Sequence, residues 1–212
     1  MSLATPAKQS KLRIEKRAQI LAAAQALFLT DGYKRTSMDA IRTAAGVSKP
    51  TLYTHYADKE ALFTDVVRMT FEQIGIERFA SSSPDILSIQ TKVELRIVLI
   101  AFITVILKQM LNSNNVGLLR IAIGEMPNCP TMKNILRQNG PTQGLSIATH
   151  FFGLAYQKGI IAVADAELVA RLFIGPIASY ILTDGLLQSD TPKVPDRARI
   201  EELVDLFLKA VC

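Results

Sequence analysis

The residues best equipped for chemistry lie in one short run, Ser48-Lys49-Pro50-Thr51-Leu52-Tyr53-Thr54-His55. Hydroxyls that donate and accept, a phenol, an imidazole and a cation crowded together suit contacts with base edges and phosphates. They do not suit bond breaking. The chain holds two histidines, His55 and His150, so general acid–base work has few candidates. No glycine-rich phosphate loop, nucleophile elbow, His-rich metal spacing or pair of carboxylates on one helical face accompanies them. These features argue against an enzyme and require no cofactor and no metal.

Charge points the same way. Across 212 residues the net charge is +5, and residues 1–60 account for all of it. Lys8, Lys11, Arg13, Lys16, Arg17, Lys34, Arg35, Arg42, Lys49 and Lys59 outweigh Glu15, Asp31, Asp39, Asp58 and Glu60 there, while the rest of the chain is neutral. An N-terminal quarter of this kind expects an anionic partner, nucleic acid or a membrane surface. Cys129 and Cys212 fit neither a metal spacing nor a disulfide framework, which suggests a reducing cytoplasm. The N-terminus has no secretory pattern. The longest apolar run, Ile97 to Leu107, is too short to span a bilayer and reads as a core helix, so no membrane insertion is expected.

The elements that must position these residues are helices, and the fold class is all-α. Apolar residues recur at helical spacing and no hairpin-bounded alternation occurs. A first helix runs from about Arg13 to Thr30, with Ile14, Ala18, Leu21, Ala24 or Gln25, and Phe28 on one stripe; Asp31-Gly32 ends it. Residues 1–10 are expected to be disordered. Thr36-Ser37-Met38-Asp39 has capping-box spacing and opens a helix through about Ala45. Gly46 breaks it, Ser48 caps a short third helix with Pro50 in its first turn, and Asp58 caps a fourth from about Lys59 towards Phe79. Ser81 to Pro84 punctuates the chain. Beyond it helices are expected at about 91–112, 115–126, 130–138, 142–158, 165–188 and 197–210, with a kink at Gly175-Pro176.

Thr36 to Tyr56 is therefore two short helices joined by a tight turn, a helix-turn-helix. Met38, Ile41, Ala44 and Ala45 give a small apolar face, and Val47 plugs the turn. At about 100° per residue Leu52 and Tyr56 point inward, Thr54 points outward beside Pro50 and Thr51, and Tyr53 and His55 hold the shoulders. Such a face fits a major groove, with shoulders and Lys59 at the phosphates. The cap Thr36-Ser37 offers free N–H groups to another phosphate.

The stretch Asp39-Ala40-Ile41-Arg42-Thr43-Ala44-Ala45-Gly46-Val47-Ser48-Lys49-Pro50-Thr51-Leu52-Tyr53-Thr54-His55-Tyr56, with Lys59-Glu60-Ala61-Leu62-Phe63 after it, resembles the signature of the TetR (tetracycline-repressor) family. The likeness extends upstream through Ile20-Leu21, Ala24, Leu27-Phe28 and Gly32-Tyr33, covering roughly residues 13–66. It implies an all-α homodimer, a three-helix DNA-binding domain (residues 1–60) and a C-terminal ligand-binding and dimerisation domain (61–212). It also implies DNA contacts by Thr36, Lys49, Thr51, Tyr53, His55 and Lys59, to which the residue reading adds Ser37, Arg42, Ser48, Pro50 and Thr54. Arg42 stands where the family often has a small residue; a surface arginine and a DNA contact are equally good readings of it.

Farther along, Gly124-Glu125-Met126-Pro127, Gly140-Pro141, Lys158-Gly159 and Asp165-Ala166-Glu167 resemble the C-terminal domain of the multidrug-efflux-regulator subgroup. That resemblance implies a pocket for a small, largely apolar effector, lined by Phe102, Ile106, Met110, Leu119, Ile123, His150, Phe151, Tyr156 and Tyr180, although plain core is the commoner role of such stripes. His150 is read as a buried imidazole in want of a partner. The helices at 142–158 and 165–188 are the implied dimer surface, with Phe173, Ile177 and Tyr180 as anchors. The expected function is a cytoplasmic transcriptional repressor released from a palindromic operator in double-stranded DNA by its effector. The alternatives are a helical enzyme or small-molecule-binding protein that leaves the N-terminal module unused, and a membrane-surface protein with a basic anchor.

Overall fold

The computed structural model describes residues 6–74, 88–188 and 191–212, and every regular element among them is helical. Helix α1 spans Pro6–Asp31, starting ahead of the expected Arg13, and the first five of the residues expected to be disordered lie outside the described residues. Ala, Lys, Gln and Leu are good helix formers, and Pro6 occupies a first-turn position where its missing N–H costs nothing. The buried stripe starts later than the periodicity suggests. Ile14 and Ala18 are exposed, whereas Ile20, Leu21, Ala24 and Phe28 are buried.

After the turn at Gly32, helix α2 (Met38–Ala44) begins at Ser37, not Thr36: the Ser37 hydroxyl accepts the Ala40 N–H at 3.1 Å. Gly46 takes a left-handed φ of +61° between α2 and α3 (Lys49–His55), a conformation that strains any side chain bearing a Cβ. Ser48 caps α3 by accepting from Thr51 N–H, and Asp58 caps α4 (Lys59–Ile74) by accepting from Ala61 N–H at 2.8 Å. The break at Ser81–Pro84 and the end of the fourth helix near Phe79 lie outside the described residues.

The C-terminal region comprises α5 (Lys92–Met110), α6 (Ser113–Glu125), α7 (Pro130–Asn139), α8 (Pro141–Gln157), α9 (Ala166–Tyr180) and α10 (Arg197–Val211). Thr91 and Glu94 form a reciprocal capping box at the start of α5. Helix α9 runs through Pro176 and widens into a π-helical turn at Ile181–Leu186. Arg120 of α6 donates to the carbonyls of Gly185, Leu186 and Gln188 at the end of that turn, satisfying acceptors the helix leaves unpaired.

Two groups of aromatic rings anchor the packing. In the N-terminal region Phe28 meets Phe63 edge-on at 4.9 Å, and Tyr33 lies 4.8 Å from Phe63. In the C-terminal region Phe152, Phe173 and Phe207 surround one another at 5.3–5.4 Å, joining α8, α9 and α10. Helix α4 links the two regions, since Leu62 and Phe63 complete the N-terminal core while the helix also packs on α5, α6 and α7. A second junction is Gly117 of α6, where a Cβ would sit 2.7 Å from the Leu29 side chain of α1.

Phe173 and Ile177 are buried in the core and do not serve as outward anchors, because the three-ring cluster claims the inner face of α9. The large exposed apolar side chains of α9, its π turn and α10 are instead Leu168, Leu172, Leu182 and Leu206. Between α9 and α10 runs an open groove of about 450 Å³ walled by Leu172, Pro176, Tyr180, Leu203, Leu206 and Phe207, with Arg199 and Glu202 also lining it. The 21 residues Ala166–Leu186 are long and apolar enough to cross a membrane, although Ile97 to Leu107, interrupted only by Thr104, is the longest apolar run. One face of this helix is packed into the protein core, as in a core helix of a folded domain.

Candidate nucleic-acid interface

Helix α3 presents the expected short polar face. Tyr53 is 47% exposed, Lys49, Pro50 and Thr54 are exposed, and Thr51 and His55 are half-buried beside them. Leu52 and Tyr56 point inward and hold the helix to the core. The hydroxyls are partly committed. Thr54 Oγ1 donates to the Pro50 carbonyl at 2.8 Å, leaving its lone pairs and methyl to face outward. Ser48 Oγ and Thr51 Oγ1 share one hydrogen bond at 2.7 Å. Burial, then the nearby Arg13 and Arg17 cations, hold the His55 pKa below its ordinary value, so its imidazole is neutral at pH 7. A neutral ring both donates and accepts.

Arg42 lies along α2, donating to Asp39 at 3.1 Å and to Thr43 at 3.2 Å, with both partners at the surface. Such an exposed pair is weak, so the guanidinium is free to exchange Asp39 for another anion. Ser37 is exposed at the helix start.

Two expected contacts face the wrong way. Thr36 is buried, and its hydroxyl donates to the Gly32 carbonyl at 2.8 Å and to Leu27 at 3.2 Å, closing the end of α1. Lys59 Nζ donates to the carbonyls of Tyr33, Lys34 and Thr36 at 2.8, 3.3 and 2.9 Å and sits 4.4 Å from the Tyr33 ring centroid. Its three donors are used, and burial lowers its pKa despite Glu125. Thr36 and Lys59 fasten the 33–36 loop that positions α2; their side chains do not reach outward to phosphate.

The sequence reading missed Asp65. This acid accepts from Tyr56 Oη at 2.6 Å, from Arg17 Nη2 at 2.7 Å and from the Arg68 guanidinium. Burial alone would raise its pKa, but hydrogen bonds from Tyr56, Arg68 and Arg17 and the Arg17 charge outweigh that and hold it below the ordinary range. Burial and the bond to Asp65 push the Tyr56 phenol well up. One signal was available: Asp65 lies three residues after Leu62, inside the stripe of Leu62, Val66 and Val67. An acid on an apolar helical face needs a buried partner.

Residues 20–66 match the family model for bacterial regulatory proteins of the tetR family. Residues 97–210, more than half of the chain, match the C-terminal domain of AefR-like transcriptional repressors. The chain belongs to the TetR family. The transcriptional activator FasR of Mycolicibacterium smegmatis is 36% identical over 75 residues, 34% of each chain. The chain matches about a third or less of the length of the curated relatives. A Mesorhizobium loti protein assigned to the TetR family of transcriptional regulators superposes with a TM-score of 0.71 at 27% identity, covering 93% of this chain and 95% of that one. The flavonoid-responsive regulator FrrA superposes with a TM-score of 0.66 at 27% identity, covering 92% and 96%.

In this TetR-family chain the expected ligand residues do not share one environment. Ile106 and Leu119 are fully within the core, and Phe102, Met110, Phe151 and Tyr180 are half-buried against it. Ile123 and Tyr156 are at the surface. His150 is exposed, correcting its reading as a buried imidazole: it falls on the outer side of α8, while Phe152 and Ala155 take the inner one. Of the expected set, Tyr180 alone lines the α9–α10 groove.

Proposed function

We propose that this TetR-family regulator is a homodimeric repressor that binds a palindromic operator through α3 and leaves it when a small, largely apolar effector binds the C-terminal region. The single observation that carries the reading is the α3 face. A capped, core-anchored helix offers Lys49, Tyr53, the Thr54 oxygen and methyl, and His55 outward, in the region that holds all the excess positive charge. The DNA contacts proposed are Ser37, Arg42, Ser48, Lys49, Pro50, Thr51, Tyr53, Thr54 and His55, on a DNA-binding unit ahead of a ligand-binding and dimerisation unit.

Dimerisation supplies geometry. Two recognition helices must reach successive major grooves about 34–36 Å apart. The exposed leucines of α9 and α10 and the groove between them are the surface a second copy would cover. The inward-facing Phe102, Ile106, Met110 and Leu119 support an apolar effector site between α5 and α6. FrrA's response to flavonoids makes flavonoids the first effectors to screen.

The test is selection from random duplexes followed by gel shift with nonspecific competitor. Enrichment of a palindrome, lost with Tyr53→Ala and weakened by salt, supports the reading. Enrichment of no palindrome overturns it.

A further inference from the structure

Asp65 is a carboxylate where apolar side chains belong. It is 4% exposed, on the face of α4 that carries Leu62, Phe63, Val66 and Val67 into the core. Removing such a charge from water is costly unless every lone pair finds a donor. The donors here come from separate elements. Tyr56 is the residue that ends the recognition helix α3, Arg17 belongs to α1, and Arg68 lies one turn along α4 itself. Arg17 and Arg68 are each about half exposed, with side-chain exposures of 50% and 48%, so their charges stay hydrated while Asp65 is fixed between them.

Apolar contacts between helices tolerate small slides, whereas charge-assisted hydrogen bonds fix direction as well as distance. Leu52 of α3 and Leu62, Phe63 and Val66 of α4 belong to the same apolar core. Helix α4 also packs on α5, α6 and α7 of the C-terminal region, which α1 meets as well where Leu29 lies against Gly117 of α6. The angle at which α3 leaves α4 therefore decides where each recognition helix stands relative to the body that carries it.

We infer that Asp65 is a positioning residue: with Tyr56 and Arg17 it locks the recognition helix and α1 onto α4, and so sets the separation of the two recognition helices in the dimer. This rests on the DNA-binding reading above. Loosening the lock leaves each half-site interface intact and widens the range of half-site spacings the dimer accepts.

The experiment uses the full-length protein and the palindrome it selects from random duplexes. Affinity is measured for that duplex, for versions with one central base pair added or removed, and for an isolated half-site. Tyr56→Phe keeps the ring and removes only the hydroxyl. Asp65→Asn removes the charge, and circular dichroism checks that each variant is folded. The expected result is a roughly tenfold loss of the preference for native spacing, the size expected from losing one charge-assisted bond, with half-site affinity unchanged. A purely structural role would lower all affinities together and leave their ratios alone. Spacing preference retained in folded Tyr56→Phe overturns the inference, and that variant decides alone if Asp65→Asn does not fold. A wild-type protein that enriches no palindrome overturns the DNA-binding reading and this inference with it, whereas a palindrome with unaltered spacing ratios overturns this inference only.

Discussion

The N-terminal and C-terminal regions are held together by different physics. Among the first 74 residues, polar side chains fix the joints: Ser37, Ser48 and Asp58 cap helices, Thr36 and Lys59 fasten a loop, and Asp65 ties three helices. The C-terminal helices are capped as well, by Thr91, Asn112, Asp165 and Asp196, but the centre of that region is the Phe152–Phe173–Phe207 cluster, and leucines still face outward. Directional bonds define a surface whose shape does not depend on a partner. Apolar packing tolerates rearrangement, which suits a region proposed to admit an effector and a second copy.

The hardest way to break this contrast is through the aromatic cluster. Phe152→Ala removes a fully buried ring and should cost about 3–5 kcal/mol. That lowers Tm by roughly 10 °C in a protein of this size, read by calorimetry. An unchanged Tm would mean that the rings are not what holds the C-terminal region.

The same contrast explains what the sequence disclosed. Helix order and most breaks were legible because caps and turns are local: Ser48, Asp58 and Gly46 each act within four residues. The outward face of α3 was legible for the same reason. Lys59 and Thr36 were misread because their partners depend on a loop wrapping back; Lys59 bonds Tyr33, 26 residues away. The Asp65 lock joins residues 9 and 48 positions apart and has no local signature beyond an acid among apolar neighbours. In the C-terminal region α5 is apolar on most sides, so periodicity could not separate exposed Ile97 and Val105 from buried Leu99 and Ile103. His150 on α8 and Phe173 and Ile177 on α9 were assigned to the wrong face of their helices.

Next in size are paired substitutions that separate contact from support. Tyr53→Ala should weaken operator binding by about 1–3 kcal/mol in a titration and leave Tm unchanged, since the ring is exposed. Thr36→Ala should do the reverse, costing about 1 kcal/mol of stability through the lost bond to Gly32 while the folded protein keeps its affinity. If Thr36→Ala weakens DNA binding in fully folded protein, the hydroxyl reaches DNA after all. On the other side of the contrast, Leu206→Glu alters a side chain that is 60% exposed in the single chain. It should spare the fold and cost association about 1.5–3 kcal/mol by sedimentation. Unaltered association would move the dimer surface away from α10.

A smaller effect appears with pH. The folded state holds the Asp65 carboxyl below its ordinary value. The stabilisation is therefore complete above the unfolded value near pH 4 and is lost as pH falls through the folded one. Wild-type stability in urea should decline on acidification below about pH 4 more steeply than that of Asp65→Asn. At the other end the raised Tyr56 phenol stabilises fully below about pH 10, and its contribution is lost as pH rises further, a loss that Tyr56→Phe removes. Matching slopes in variant and wild type would mean that the lock is already open in solution.

The smallest expected effect is the sharpest check on the C-terminal side. Arg171 pairs with Glu167 at 2.7 Å, and Arg199 with Glu202 at 2.9 Å, but each pair lies within one helix and all four side chains are well exposed. Water screens such pairs, and ordering two long side chains offsets most of the attraction. Arg171→Ala should change stability by less than about 0.5 kcal/mol in urea titrations. Arg96, whose guanidinium grips Asp205 with bonds of 2.6 and 2.9 Å, differs because it joins α5 to α10. Arg96→Ala should cost more than Arg171→Ala, yet less than Phe152→Ala, since both of its charges remain partly hydrated. A loss at Arg96 as large as that at Phe152 would show that directional polar bonds also hold the C-terminal helices in place, and the division between the two regions would fail.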